Sequence, residues 1–176
     1  MANPSGLSLV IQSPCTVFPA FDPSTVASVT LKSAQFSAIW DTGATHTAIT
    51  QEVIDALGLK PITMRKVHHA GGEHYAEVFS INVALPNGVS FKEVSATRCQ
   101  LPPGTQVLIG MDIITIGDFA ITNKDGRTVC SFRTPSMVCI DFVKDHQRET
   151  LNERFKHGGS KKNRKERHKK HGKHKK

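Results

Sequence analysis

Ala38-Ile39-Trp40-Asp41-Thr42-Gly43-Ala44-Thr45 is the stretch on which the reading of this chain turns. An apolar run stops abruptly at an acid, followed by a small hydroxyl and a glycine. Each residue type has a physical task. A carboxylate can activate water. A threonine hydroxyl can brace a loop through hydrogen bonds. A glycine lets its backbone N–H approach the carboxylate and hold it ionised, because no Cβ stands in the way. Taken alone the triplet is weak, since Asp and Gly are common turn residues and a plain turn acid fits as well.

The flanking sequence is β-rich. Leu7–Gln12 and Val26–Lys32 read as strands separated by Pro14, Pro19 and Pro23, and Phe36–Trp40 as the strand that delivers the acid. Thr50–Leu57 puts Val53, Ile54 and Leu57 at helical spacing, with Thr50 as N-cap and Gly58 as stop. Arg65–His69, Gly71-Gly72 and Tyr75–Leu85 form a hairpin with a glycine tip. Asn87-Gly88 then turns the chain into Val89–Thr97. Pro102-Pro103-Gly104 introduces the buried-strand run Gln106–Ile109, which ends at Gly110 before one or two helical turns over Met111–Ile116. Asp118–Thr122 and Thr128–Phe132 flank Lys124-Asp125-Gly126 as a third hairpin, and Met137–Val143 reads as a last strand. No internal repeat is present.

Charge separates an appendage from this body. From Gln147 to Lys176 there are 13 Lys and Arg against 3 acids, a net of +10, which leaves −2 on the other 146 of 176 residues. The segment from Gly158 onward is almost wholly Lys, Arg, His, Gly and Ser, too polar to order itself by burial. The expected division is a folded domain over 1–145 and a basic, disordered tail over 146–176. Cys15, Cys99, Cys130 and Cys139 form no C-x-x-C pair, so idle thiols are expected rather than a metal site. The longest apolar run near the start, Leu7–Ile11, is too short for a signal peptide, and nothing approaches a membrane span. A soluble, cytoplasmic protein is the expectation.

Val107-Leu108-Ile109-Gly110, about seventy residues after Asp41, alters the weight of the first motif. Asp41-Thr42-Gly43-Ala44 together with Leu108-Ile109-Gly110, and the Gly71-Gly72 hairpin between them, resembles the retropepsin family of aspartic peptidases over roughly Thr25 to Phe132. The resemblance implies an all-β, closed, barrel-like acid-protease fold with one or two short helices. It implies an aspartic endopeptidase that needs neither metal nor cofactor. One Asp-Thr-Gly supplies one carboxylate, so the second must come from another copy about a two-fold axis. In that reading Asp41, Thr42 and Gly43 are catalytic, Thr42 braces the partner's loop, and Leu108–Gly110 supports the catalytic loop. Ala44 and the hairpin tip, His69, Ala70, Gly71 and Gly72, bind an extended peptide substrate; an ordinary surface hairpin is the other reading of that tip.

His68, His69 and His74 lack the acid or Cys pattern of a zinc site and read as solvated histidines, as does His46 near the catalytic turn. Two positions depart from the family. Thr45 stands where viral members often have an acid, and Met111 where many have an Arg, so the usual ion pair cannot form. Two alternative functions remain open beside the peptidase: a catalytically weak peptide-binding module, and a nucleic-acid-associated protein acting through its tail. The tail's charge suits nonspecific nucleic acid, and the lack of aromatics after Phe155 argues against base stacking.

Overall fold

The computed structural model describes residues 6–20, 32–69 and 72–153. The chain falls into two compact units, Met1–Met137 and Val138–Lys176. The described residues of the first unit form nine strands: β1 (Gln12–Pro19), β2 (Ala34–Trp40), β3 (Ala48–Ile49), β4 (Thr63–His69), β5 (Gly72–Ala84), β6 (Ser90–Arg98), β7 (Val107–Ile109), β8 (Asp118–Thr122) and β9 (Val129–Arg133). Two short helices complete it, α1 (Gln51–Leu57) and α2 (Met111–Ile114).

Seven strands form one sheet in the order β1-β2-β7-β3-β6-β5-β4, and β1 also pairs with β5, closing the first six into a ring. The expected all-β architecture with short helices is therefore the observed one. Alternation along the strands supplies the interior. Ser13, Cys15 and Val17 of β1 and Phe36, Ala38 and Trp40 of β2 point inward, where they join Phe79, Ile81, Val83, Val107 and Ile109. Helix α1 closes one side with Val53, Ile54 and Leu57, all buried. It starts after Thr50 and ends at Gly58, which adopts the left-handed conformation (φ 64°). Thr50 occupies the N-cap position but its hydroxyl makes no cap hydrogen bond and is buried without a partner.

Two strand expectations fail, one early in the chain and one late. The first strand runs over Gln12–Pro19, not Leu7–Gln12, and so passes through Pro14 and Pro19, which read as breakers in the sequence. Hydrogen-bond direction explains the tolerance. Trp40 N–H donates to Ile11 C=O, so residues 11, 13, 15 and 17 bond β2 and Pro14 turns its missing N–H away from that neighbour. Pairing with β5 begins only at Thr16. Ala20 N–H donates to Ser80 C=O, which puts Pro19 out of phase with the β5 bonds in the same way. The strand expected over Val26–Lys32 falls largely on residues 21–31, outside the described residues.

The apolar run Met137–Val143 is not a strand. Residues 136–141 are irregular, and a helix, α3, takes in residues 142–153 of the second unit. Asp141 starts it, its Oδ1 accepting from the N–H groups of Val143 and Lys144. The same bonds, with Lys144 beside it, hold the Asp141 carboxyl below its ordinary range. This helix includes residues 146–153, which composition alone assigns to an irregular tail. No described helix is long and apolar enough to cross a membrane.

Candidate active site

Strands β2 and β7 run parallel, with Trp40 opposite Ile109 at the last rung. Asp41 leaves β2 at that point and its N–H donates to Ile109 C=O at 3.0 Å. The chain then loops over the end of β7 and returns along its other side, since β3 pairs antiparallel with β7. Residues 41–47 are thus a strap over the β7 end, and Gly110 lies beneath the strap. Glycine is required there. A Cβ at position 110 would stand 2.5 Å from the His46 carbonyl carbon and 2.9 Å from Thr47 N.

Trp40 anchors the residue before the acid. Its indole stacks on Phe119 with ring centroids 5.3 Å apart, leans on Phe132 at 5.2 Å, and donates through Nε1 to Ser13 Oγ at 3.0 Å. Asp41 itself is half-buried. Gly43 N–H donates to Asp41 Oδ1 at 2.8 Å, and a Cβ on Gly43 would crowd that same oxygen at 3.1 Å. No other described residue donates to the carboxylate, which leaves Oδ2 open. Ala44 N–H closes the turn onto Asp41 C=O at 3.3 Å, and Thr42 is exposed. A carboxylate held on one oxygen and open on the other can accept a proton from a bound water.

The sequence motifs did not single out Thr47 and Asp112. Thr47 is fully buried, and both its N–H and its hydroxyl donate to the Asp112 carboxylate, at 2.8 to 3.0 Å. A polar residue placed just before the buried pair Ala48-Ile49 was the only local hint.

The hairpin of β4 and β5 pairs from Thr63 with Val78 out to His69 with Gly72. Gly72 is exposed at its end, while Ala70 and Gly71 lie outside the described residues. Near the tip Glu73 lies between Lys66 and His68, with His68 Nδ1 at 2.8 Å from Glu73 Oε1. Among the described residues no three metal-ligating side chains converge. A cleft among Gln12, Phe36, Glu52 and Gln106 holds one carboxylate and none of the turn residues, so the Asp41 turn is the better candidate.

The family model described as "gag-polyprotein putative aspartyl protease" matches residues 27–115, half of the chain. The matched span contains both the Asp41 turn and Gly110. The chain is a member of the retropepsin-like aspartic peptidase family. The observed all-β architecture fits an acid-protease fold. A crystal structure of a retropepsin-like aspartic protease from Rickettsia conorii is similar at 20% identity, covering 68% of this chain and 88% of that one with a TM-score of 0.42. No curated protein matches the sequence.

Proposed function

We propose that this retropepsin-like chain is a homodimeric aspartic endopeptidase whose site is completed by Asp41 from each of two copies. The observation that carries the reading is the Asp41 carboxylate, fixed through Oδ1 by Gly43 N–H, with no described residue donating to Oδ2. In the dimer the two carboxylates lie about 3 Å apart and share one proton, because like charges that close cannot both ionise, a property general to aspartic proteases. The ionised member takes a proton from the water between them while the protonated member donates to the scissile carbonyl. Thr42 braces the partner's turn, and Ala44 with backbone groups of His69–Gly72 holds the substrate in extended form under the β4–β5 hairpin.

Asp41→Asn tests this. The variant should keep its thermal midpoint within a few degrees and lose all cleavage of a mixed peptide library read by mass spectrometry; undiminished cleavage would sink the reading. A wild-type dimer that binds the library without cutting it would favour the peptide-binding alternative. The free thiols Cys99 and Cys139 suit a reducing compartment such as the cytoplasm, and retained activity in millimolar reductant checks that placement. The net +10 of residues 147–176 suits a nonspecific tether to nucleic acid. Deleting 158–176 should remove salt-sensitive binding without changing cleavage, and persistent binding by the truncated chain refutes the tether.

A further inference from the structure

We propose that Thr47 and Asp112 are the positioning residues of the catalytic turn, acting as one hydrogen-bonded latch between the strap and the start of α2. The inference rests on the peptidase reading and extends it to what sets the place of Asp41.

The strap is poorly supported along most of its length. Thr42, Gly43, Thr45 and His46 are exposed, and Asp41 and Ala44 only half-buried. Its seam with the chain after β7 carries no ion pair, because Thr45 and Met111 are both uncharged. Hydrogen bonds do the joining. Met111 N–H donates to Ala44 C=O at 2.8 Å and Asp112 N–H to Thr45 C=O at 3.2 Å. Backbone bonds of this kind form with almost any side chain present. The side-chain part of the seam is specific.

The Asp112 carboxylate straddles Thr47 N–H, at 3.0 Å from Oδ1 and 2.9 Å from Oδ2. Its Oδ1 also accepts the Thr47 hydroxyl at 2.8 Å and the Ile113 N–H at 3.0 Å. A hydroxyl has one proton, and a carboxylate can only accept. The Thr47 proton therefore points at Asp112, and one of the two lone pairs on its oxygen accepts Gly110 N–H at 3.3 Å. The direction of every bond from Gly110 through Thr47 to Asp112 is fixed. Bonds to an ionised acceptor are roughly twice as strong as neutral ones, and Thr47 is fully buried, so a lost bond would strand donors away from water.

The consequence reaches Asp41 along the strap itself. One end of the strap is held at Trp40 by the aromatic contacts, and the other end is held at Thr47 by the latch. Releasing the second end lets the turn move while β2 stays in place. Water activation by a carboxylate pair depends on placement, and a misplacement of about 1 Å can cost on the order of a hundredfold in rate. Peptide affinity, spread over many contacts, is less sensitive. The latch should thus act on kcat more than on KM.

Thr47→Val, which keeps shape and removes the hydroxyl, tests the latch in the full chain, with Thr47→Ser and Asp112→Asn beside it. Active sites are counted with a hydroxyl-bearing peptide isostere, so that unfolded protein does not enter kcat. Thr47→Val is expected to lower kcat per titrated site by about ten- to a hundredfold with KM within about threefold. Thr47→Ser should stay within about threefold of wild type, and Asp112→Asn should fall between. A lower thermal midpoint with unchanged kcat per site would reduce the pair to a structural role and overturn the proposal. Equal losses in Thr47→Ser and Thr47→Val would overturn it too. If Thr47→Val does not fold, the loss in Asp112→Asn decides alone. A wild type without turnover removes the peptidase reading itself, and this inference with it.

Discussion

Gly110 and His46 are in backbone contact: a Cβ built on Gly110 would stand 2.5 Å from the His46 carbonyl carbon and 2.7 Å from its oxygen. The contact explains why an apolar run ending in glycine accompanies the Asp-Thr-Gly turn. The strand delivers its end under the strap, and only a residue without a side chain leaves room for the strap to pass. The obstructing atoms are main chain, so no rotamer change relieves the overlap.

Gly110→Ala should therefore be costly on both counts. Overpacking against fixed atoms costs about 1–3 kcal/mol, and the upper part of that range is expected here. The strap must lift to admit the methyl group, so turnover should fall by at least tenfold. Urea unfolding and peptide turnover measure the two effects. A variant with the wild-type midpoint and rate would show that the strap yields without cost.

Burial pushes the Cys15 thiol up to about 12 from an ordinary 9.0, and the Cys99 thiol to about 11. The sign follows from linkage. Below pH 9 each thiol is neutral in both folded and unfolded chains, and no stability is lost. As pH rises from 9 toward 12 the unfolded chain ionises at Cys15 while the folded chain cannot. Stability then drops by about 1.4 kcal/mol per pH unit for that group. Urea midpoints taken from pH 8 to pH 10.5 should decline, and the decline should be shallower in Cys15→Ala. Parallel declines in the two proteins would contradict the assignment to this thiol.

The legible and illegible parts of the fold divide by the range of the forces involved. Val53, Ile54 and Leu57 are buried as their spacing says, and Asn87-Gly88 and Lys124-Asp125-Gly126 lie at reversals between paired strands. Those features depend on near neighbours. Pro14 and Pro19 misled because a proline is excluded only where its missing N–H faces a partner, and the partner is known only from tertiary pairing. Met137–Val143 misled because apolar content reads as a strand when no partner strand is there to receive it, while Asp141 starts a helix instead. In the site, the Asp41 turn and Gly110 were readable as motifs. Thr47 and Asp112 were not, since the two lie 65 residues apart and no spacing rule links them.

With one Asp-Thr-Gly per chain, the proposed peptidase should have an activity that depends on protein concentration. If two copies meet to form each site, the rate falls as the square of protein concentration once dilution passes the dissociation constant, so specific activity declines. Inactive partners sharpen the test. On the proposed reading, Asp41→Asn chains should keep the fold and the interface, and each one that pairs with a wild-type chain should remove a proton donor or acceptor from the site. With random exchange, adding an equal amount of Asp41→Asn should cut the activity of a fixed amount of wild type to about half, and a large excess should abolish it. Specific activity that stays flat to the lowest measurable concentration, and that ignores the added variant, would mean that a single chain carries a complete site, contrary to its having a single such turn.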